Sequence, residues 1–223
     1  MKRRPAILVF DAVGTLLRPR EPVAVTYHRI GAQFGSCLTE DEIRRRFHLQ
    51  RQIVFGNIPE QVSSESIERQ HWRALVHAVF GELADGGALF DALWQFYAGP
   101  ENWSVYPEVE GCLDQLMAGQ FEMAIASNFD RRLHGICAGL PAIRGIGHVC
   151  CSSDVGFSKP DPRFFHAVWQ QIRPNQGPTE FPLMIGDDWD KDVVAARAAG
   201  WQSAHLVRKE SDLAQLLVEL DLL

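Results

Sequence analysis

The chain has 223 residues, 46% of them hydrophobic and 22% charged. That length and composition exclude a disordered chain and allow one large domain, or a core with a smaller partner. A net charge of -6 argues against holding a phosphate backbone, so a small-molecule substrate is expected and no nucleic acid.

The basic start Met1-Lys2-Arg3-Arg4 leads into an apolar run only about half as long as a signal-peptide core. No window approaches the ~20 apolar residues of a spanning helix. No membrane association and a cytoplasmic location are therefore expected. Five cysteines, Cys37, Cys112, Cys137, Cys150 and Cys151, are odd in number and form no C-x-x-C pair, which suits a reducing compartment and buried thiols better than disulfides or zinc. On a strand, Cys150 and Cys151 would point to opposite faces. The sequence carries no signal of oligomeric state.

Residues 6–10 read as a buried parallel strand ending at Asp11, with Gly14 free to turn and Thr15 able to bond an anion or a backbone group. Asp11 is here either a nucleophile of the aspartyl type or the cap of a following helix. After the proline-punctuated run 18–22 come four helices. The first has Val23, Tyr27, Ile30 and Phe34 on one face, and Gly35 ends it. Thr39-Glu40-Asp41-Glu42 has the form of a capping box for the second. The third covers residues 64–80 and the fourth 88–97. No strand is expected between residues 17 and 100. Arg44, Arg45, Arg46 and Arg51 read as a solvated face.

Breakers at 98–102 mark a shift to an alternating α/β pattern. A helix is expected over 107–119, a strand over 122–126 ending in Ser127-Asn128, and a strand over 147–151. The loop 154–159 follows, then a helix capped by Asp161 with Pro162 in its first turn. Further on come a strand over 182–185 ending at Gly186-Asp187-Asp188, a helix over 191–199 stopped by Gly200, and a strand over 203–207. Ser211 is expected to cap a last, leucine-rich helix. This alternation predicts an α/β fold, a doubly wound parallel sheet. The ends of parallel strands share one edge, so Asp11, Ser127-Asn128, Lys159 and Asp187 should converge on a single crevice.

With those four strand-end groups in hand, the chain resembles the haloacid dehalogenase superfamily along nearly its whole length. The residues that carry the resemblance are Asp11-Ala12-Val13-Gly14-Thr15-Leu16, Ser127-Asn128-Phe129-Asp130, Lys159-Pro160-Asp161, and Gly186-Asp187 with Asp192 closing the last motif. The phrase Ser127-Asn128-Phe129-Asp130-Arg131-Arg132-Leu133 is most similar to the rhythmically-expressed-gene-two-like branch. The resemblance implies a Rossmann-like catalytic core over residues 1–16 and 105–223, and a helical cap domain over 17–104 hinged near 17–22 and 100–107. It also implies Asp11 as nucleophile and Lys159 as the neutralising cation, with Thr15, Ser127 and Asn128 around the phosphate. Mg²⁺ would be held by Asp11, the Val13 backbone carbonyl and Asp187, supported by Asp192 with Asp188 as competitor.

Phosphatases of this superfamily carry a second aspartate two places after the nucleophile; here that place holds Val13, which neither protonates a leaving group nor activates water. Three readings follow. The first is a Mg²⁺-dependent phosphohydrolase suited to leaving groups that need little protonation. The second is a binding or regulatory protein that keeps the fold. The third is a metal-free L-2-haloacid dehalogenase, against which the acidic Asp187 counts and for which Arg51 would have to serve the substrate. Arg51, Phe55 and Trp72 are candidates for facing a substrate from the cap.

Overall fold

Ile7-Leu8-Val9-Phe10 has no polar side chain, and all four residues are fully buried. In the computed structural model, which describes residues 5, 7–56, 61–83, 85–174 and 182–223, this run forms the central strand. The strands are β1 (Leu8–Phe10), β2 (Leu17–Pro19), β3 (Trp103–Val105), β4 (Met123–Ser127), β5 (His148–Cys151), β6 (Leu183–Gly186) and β7 (Gln202–His205). Five of them make one parallel sheet in the order β5-β4-β1-β6-β7. Phe10 stands in register with Ile125 on one side and Ile185 on the other.

The two-residue period of the strands divides their side chains between two cores. Leu8, Phe10, Ile125 and Ile185 face one side, where α5 (Val109–Ala118), α6 (Arg132–Gly139) and α10 (Leu213–Glu219) supply Leu113, Ile136 and Leu217. Ile7, Val9, Ala124 and Met184 face the other, against Phe164, Phe165 and Val168 of α8 (Pro162–Ile172) and Ala196 of α9 (Ala195–Ala198). Cys151 belongs to the first core and Cys150 to the second, as the pleat requires. The fold is thus an α/β Rossmann-like sheet wound on both faces, and among the described residues the cysteines are all free thiols.

Between β2 and β3 lie α1 (Val23–Gln33), α2 (Glu40–Gly56), α3 (Glu65–Phe80) and α4 (Gly86–Phe96). Their starts are set by local chemistry. The Thr39 hydroxyl accepts from the Glu42 N–H at 3.3 Å while the Glu42 carboxylate accepts from the Thr39 N–H at 2.9 Å. Ser64 accepts from the Ile67 N–H. The insertion has an apolar core of its own, in which Tyr27 stacks on Phe80 and meets Phe47 edge-on.

Several expectations need correction. A strand does occur after residue 17: β2 pairs antiparallel with β3, Leu17 opposite Val105 and Pro19 opposite Trp103. Each is three residues long, and β2 ends in a proline, so neither shows alternation until its distant partner is known. The helix expected over 191–199 opens with a π-type turn at Trp189–Val194 before α9, although Gly200, with φ +84°, does end it. Asp212, not Ser211, caps α10, in a full capping box with Gln215. Residues 132–139 and 152–155 are helical, the second forming α7 (Ser152–Val155), where no element was expected. Ala6, in the expected first strand, lies outside the described residues.

Candidate active site

β1 delivers Asp11 to the C-terminal edge of the sheet, and the chain then turns back at once. Leu16 and Leu17 N–H both return to the Ala12 carbonyl, and Gly14 adopts φ +98°. Gly14 is required on two counts: that φ suits only glycine, and a Cβ there would stand 2.3 Å from Asp187 Oδ2. The turn is braced by Arg208, which donates to the carbonyls of Gly14 and Thr15, pairs with Glu108 and lies over the Tyr106 ring at 3.7 Å.

The four strand-end groups do converge. Asp11 Oδ1 accepts from Ser127 Oγ at 2.9 Å and from Lys159 Nζ at 2.8 Å, and no described residue donates to Oδ2. Lys159, 2% exposed, also donates to Asp192 Oδ1 at 2.5 Å and to the Ala126 carbonyl at 3.2 Å. Carboxylate oxygens of Asp11, Asp187 and Asp192 lie within 4.8 Å of one another.

Burial pushes the Asp11 carboxyl up to about 6, against the downward pull of Lys159 and with added push from Asp192 and Asp187. Burial by itself would lower Lys159, but the two facing carboxylates hold its ammonium above the ordinary lysine range. Asp187 is raised by burial and by Asp192. One buried cation thus serves two buried carboxylates, Asp11 and Asp192, with Asp187 close beside them.

Asp192 is turned inward: its Oδ2 accepts from the Asp188 N–H at 3.0 Å, and a Cβ on Gly186 would collide with it at 2.2 Å. Asp188 is turned outward, capping the π-type turn through the Asp190 and Lys191 N–H groups and pairing with Lys191 Nζ at 3.1 Å. Thr15, fully buried, donates to Asp187 Oδ1 at 3.3 Å. Asn128 spends its amide on the Lys159 backbone in both directions.

Two adjoining spaces of about 420 Å³ each open above this edge. One is lined by Val13, Asp187, Asn128 and Phe129 from the sheet side, and by Tyr27, Trp72 and Tyr97 of the insertion. The other brings Arg51, Phe55 and Trp72 opposite Lys159 and Asp188. Asp187 is the only carboxylate among the described residues lining the first space, which Val13 also lines.

Sequence reasoning passed over Arg18 and Arg132, which line the first space. Arg132 makes paired 2.7 Å hydrogen bonds with the fully buried Asp130 and stacks 3.5 Å over Trp94 of α4. The signal was the Asp130-x-Arg132 spacing inside a stretch already singled out. Arg208 and Glu108 left none, since they meet across 100 residues.

A sequence model of haloacid dehalogenase-like hydrolases matches residues 5–200. The chain belongs to that family. It is 28% identical over 215 residues to the haloacid dehalogenase-like hydrolase domain-containing protein 3 of Danio rerio, covering 94% of this chain and 88% of that protein. With the rhythmically expressed gene 2 protein of Drosophila melanogaster it shares 26% over 220 residues, 92% of this chain and 84% of that one. The fold matches that of a magnesium-bound putative HAD-hydrolase, YfnB of Bacillus subtilis, with a TM-score of 0.73 at 19% identity over 98% and 100% of the two chains. It also matches an L-2-haloacid dehalogenase of Xanthobacter autotrophicus with chloropropionic acid covalently bound, TM-score 0.68 at 21% identity over 97% and 83%. The protein is therefore a hydrolase of haloacid dehalogenase type. No described helix is long and apolar enough to cross a membrane.

Proposed function

We propose that this hydrolase is a Mg²⁺-dependent phosphohydrolase that acts on a small phosphorylated metabolite through an aspartyl-phosphate at Asp11, and that its preferred substrates have leaving groups needing no proton. The observation that carries the reading is the buried Asp11, pinned through Oδ1 by Lys159 and Ser127 beside Asp187 and Asp192.

The donor set fits the metal. It consists of hard carboxylate oxygens close together, and the bare Gly14 leaves Asp187 room to reach in. Asp11, the Val13 carbonyl and Asp187 would hold the ion, with Asp192 behind them. Bound there, Mg²⁺ would offset the repulsion between a carboxylate and a phosphoryl group.

The remaining chemistry belongs to the chain. Asp11 Oδ2, the oxygen without a donor, attacks phosphorus, and the bond to the leaving group breaks. Lys159 and Ser127 fix the carboxylate at the angle of attack, so positioning and charge carry most of the rate. An acyl leaving group departs as a carboxylate and takes no proton. Water then attacks phosphorus, phosphate leaves and the Asp11 carboxylate is restored. With Val13 beside the site no base assists that water, and its proton passes to the phosphate or to solvent. The second step is therefore slow, by about 10²- to 10⁴-fold. The helical insertion acts as the cap over the strand ends, turning on the β2–β3 ribbon and excluding water.

The test is hydrolysis of acetyl phosphate with Mg²⁺ and with chelator, beside Asp11→Asn. Turnover that needs both Mg²⁺ and Asp11 supports the reading. Absence of turnover above the variant overturns it, leaving a binding protein of this fold, or a dehalogenase if chloride is released from 2-chloropropionate without metal.

A further inference from the structure

Two strands away from Asp11, at the sheet edge, three side chains from separate elements bring one ligand atom each to a common point. Cys151 ends β5, Asp154 lies in α7 and His134 in α6. At the usual strand spacing this is about 10 Å from the catalytic carboxylates. Asp154 Oδ2 is 2.6 Å from His134 Nε2 and 3.1 Å from Cys151 Sγ, and the sulfur is 3.7 Å from that same nitrogen.

The shared nitrogen decides what the cluster is for. In a nucleophile relay the imidazole receives the thiol proton on one nitrogen and meets the acid through the other. Here thiol and carboxylate both approach Nε2, so no proton can be passed across the ring. Burial also pushes the Cys151 thiol up to about 12, far from a free nucleophile. Three convergent donors, one nitrogen, one oxygen and one sulfur, are instead the corner of a tetrahedron. Around zinc such corners are separated by about 3.3–3.6 Å. Both sulfur distances already fall within about 0.4 Å of that range, and the His134–Asp154 edge needs to open by about 0.7 Å. In the metal-free chain, hydrogens of the thiol and the imidazole occupy the middle, both directed at Asp154.

We propose that His134, Cys151 and Asp154 form a binding site for a thiophilic divalent transition metal ion of the zinc type, separate from the catalytic carboxylates. Binding replaces the two central hydrogens. The Cys151 thiol proton is released to water as the sulfur–metal bond forms; the imidazole gives its Nε2 hydrogen to water and takes one from water on Nδ1, so the ring stays neutral as Nε2 turns its lone pair to the metal. Water completes the fourth corner, because His134 is exposed on its outer side. Arg131 pairs with the other Asp154 oxygen at 2.7 Å, but its side chain is 65% exposed and free to swing outward as the cation enters. The bound ion would tie the first turn of α6, and with it Arg132 in the substrate space, to the end of β5.

The test is titration of the reduced, chelator-treated protein with Co²⁺ alone, followed in the near-ultraviolet, where thiolate-to-cobalt charge transfer absorbs. Expected is one equivalent giving such a band in the parent and in Asp11→Asn, removed by added Zn²⁺ and lost in Cys151→Ser. His134→Ala, a change at an exposed position, weakens binding by about tenfold or more. No band in the parent, the same band in Cys151→Ser, or unchanged affinity in His134→Ala would overturn the proposal. Should Cys151→Ser not fold, the parent spectrum and His134→Ala decide it.

Discussion

Asn128 and Lys159 hold each other by two hydrogen bonds: the Asn128 amide donates to the Lys159 carbonyl at 2.8 Å, and the Lys159 N–H donates to Asn128 Oδ1 at 2.7 Å. The clasp joins the end of β4 to the loop before α8 and sets where the Lys159 ammonium reaches Asp11. Asn128→Ala frees that loop. A displacement of the order of 1 Å at a reacting group costs about 10²-fold in rate, whereas two lost hydrogen bonds cost about 1–3 kcal/mol of stability. Acetyl phosphate turnover should therefore fall steeply while urea denaturation shows a folded protein. Equal activity in the variant would mean that Lys159 is placed by Asp11 and Asp192 alone.

The raised Asp11 carboxyl makes a signed prediction for the metal-free protein. Its folded value, about 6, exceeds the ordinary 3.8. Between those values the folded state holds the proton and the unfolded state does not, so stability falls as pH rises through this window. Asp11→Asn removes that slope. With chelator present, denaturation midpoints for the parent should decline from about pH 4 to about pH 6 relative to the variant, and the gap should then stay constant. A parent that gains on the variant across the window would mean that Lys159 outweighs burial.

Glu68 fastens the insertion to the sheet. Its Oε1 accepts from Ser63 at 2.6 Å and from Ser152 of α7 at 3.0 Å, with the residue 7% exposed. Beside it, Glu65 accepts from the Arg131 N–H at 3.0 Å. Glu68→Ala leaves the Ser63 hydroxyl short of an acceptor and cuts the tie to Ser152, whose hydroxyl keeps the Phe129 carbonyl at 3.0 Å, at a cost of about 1–3 kcal/mol. The loss should be local: amide exchange should quicken in the first turns of α3 and in α7, with β1 and β4 unchanged. Exchange rising equally through the sheet would show that the insertion and the sheet unfold as one unit.

The convergence of Asp11, Ser127, Lys159 and Asp187 was legible because Asp11, Ser127 and Asp187 close short apolar runs and Lys159 lies in the loop that follows another, and parallel strands bring such ends to one edge. The inward turn of Asp192 and the outward turn of Asp188 were not, because both have the same side chain four residues apart; the collapse of Asp192 onto Gly186 separates them. The β2–β3 ribbon was hidden for a different reason. Leu17 finds Val105, which lies 88 positions along the chain, and three-residue strands carry too little pattern to announce a pairing of that range. The Glu68–Ser152 contact and the meeting of His134 with Asp154 are likewise products of packing, made by polar residues whose neighbours in sequence say nothing of their partners.

Val13 offers the sharpest separation of chemistry from fold. It is half-buried and lines the same space as Asp187, so an aspartate in its place would face a bound leaving group. In the parent, an alkyl phosphate must expel an unprotonated alkoxide, whereas acetyl phosphate expels a carboxylate. Val13→Asp should therefore raise kcat/KM for the alkyl ester by about 10²- to 10⁴-fold and change that for acetyl phosphate far less. The same carboxylate should speed the water step. Rapid-mixing experiments with the parent should then show a burst of acetate of about one equivalent as aspartyl-phosphate accumulates, and Val13→Asp should lose it. A parent without a burst, yet with steady turnover, would mean that water attack is already assisted by another group. Asp187 would be the first to examine, as the one carboxylate among the described residues lining that space.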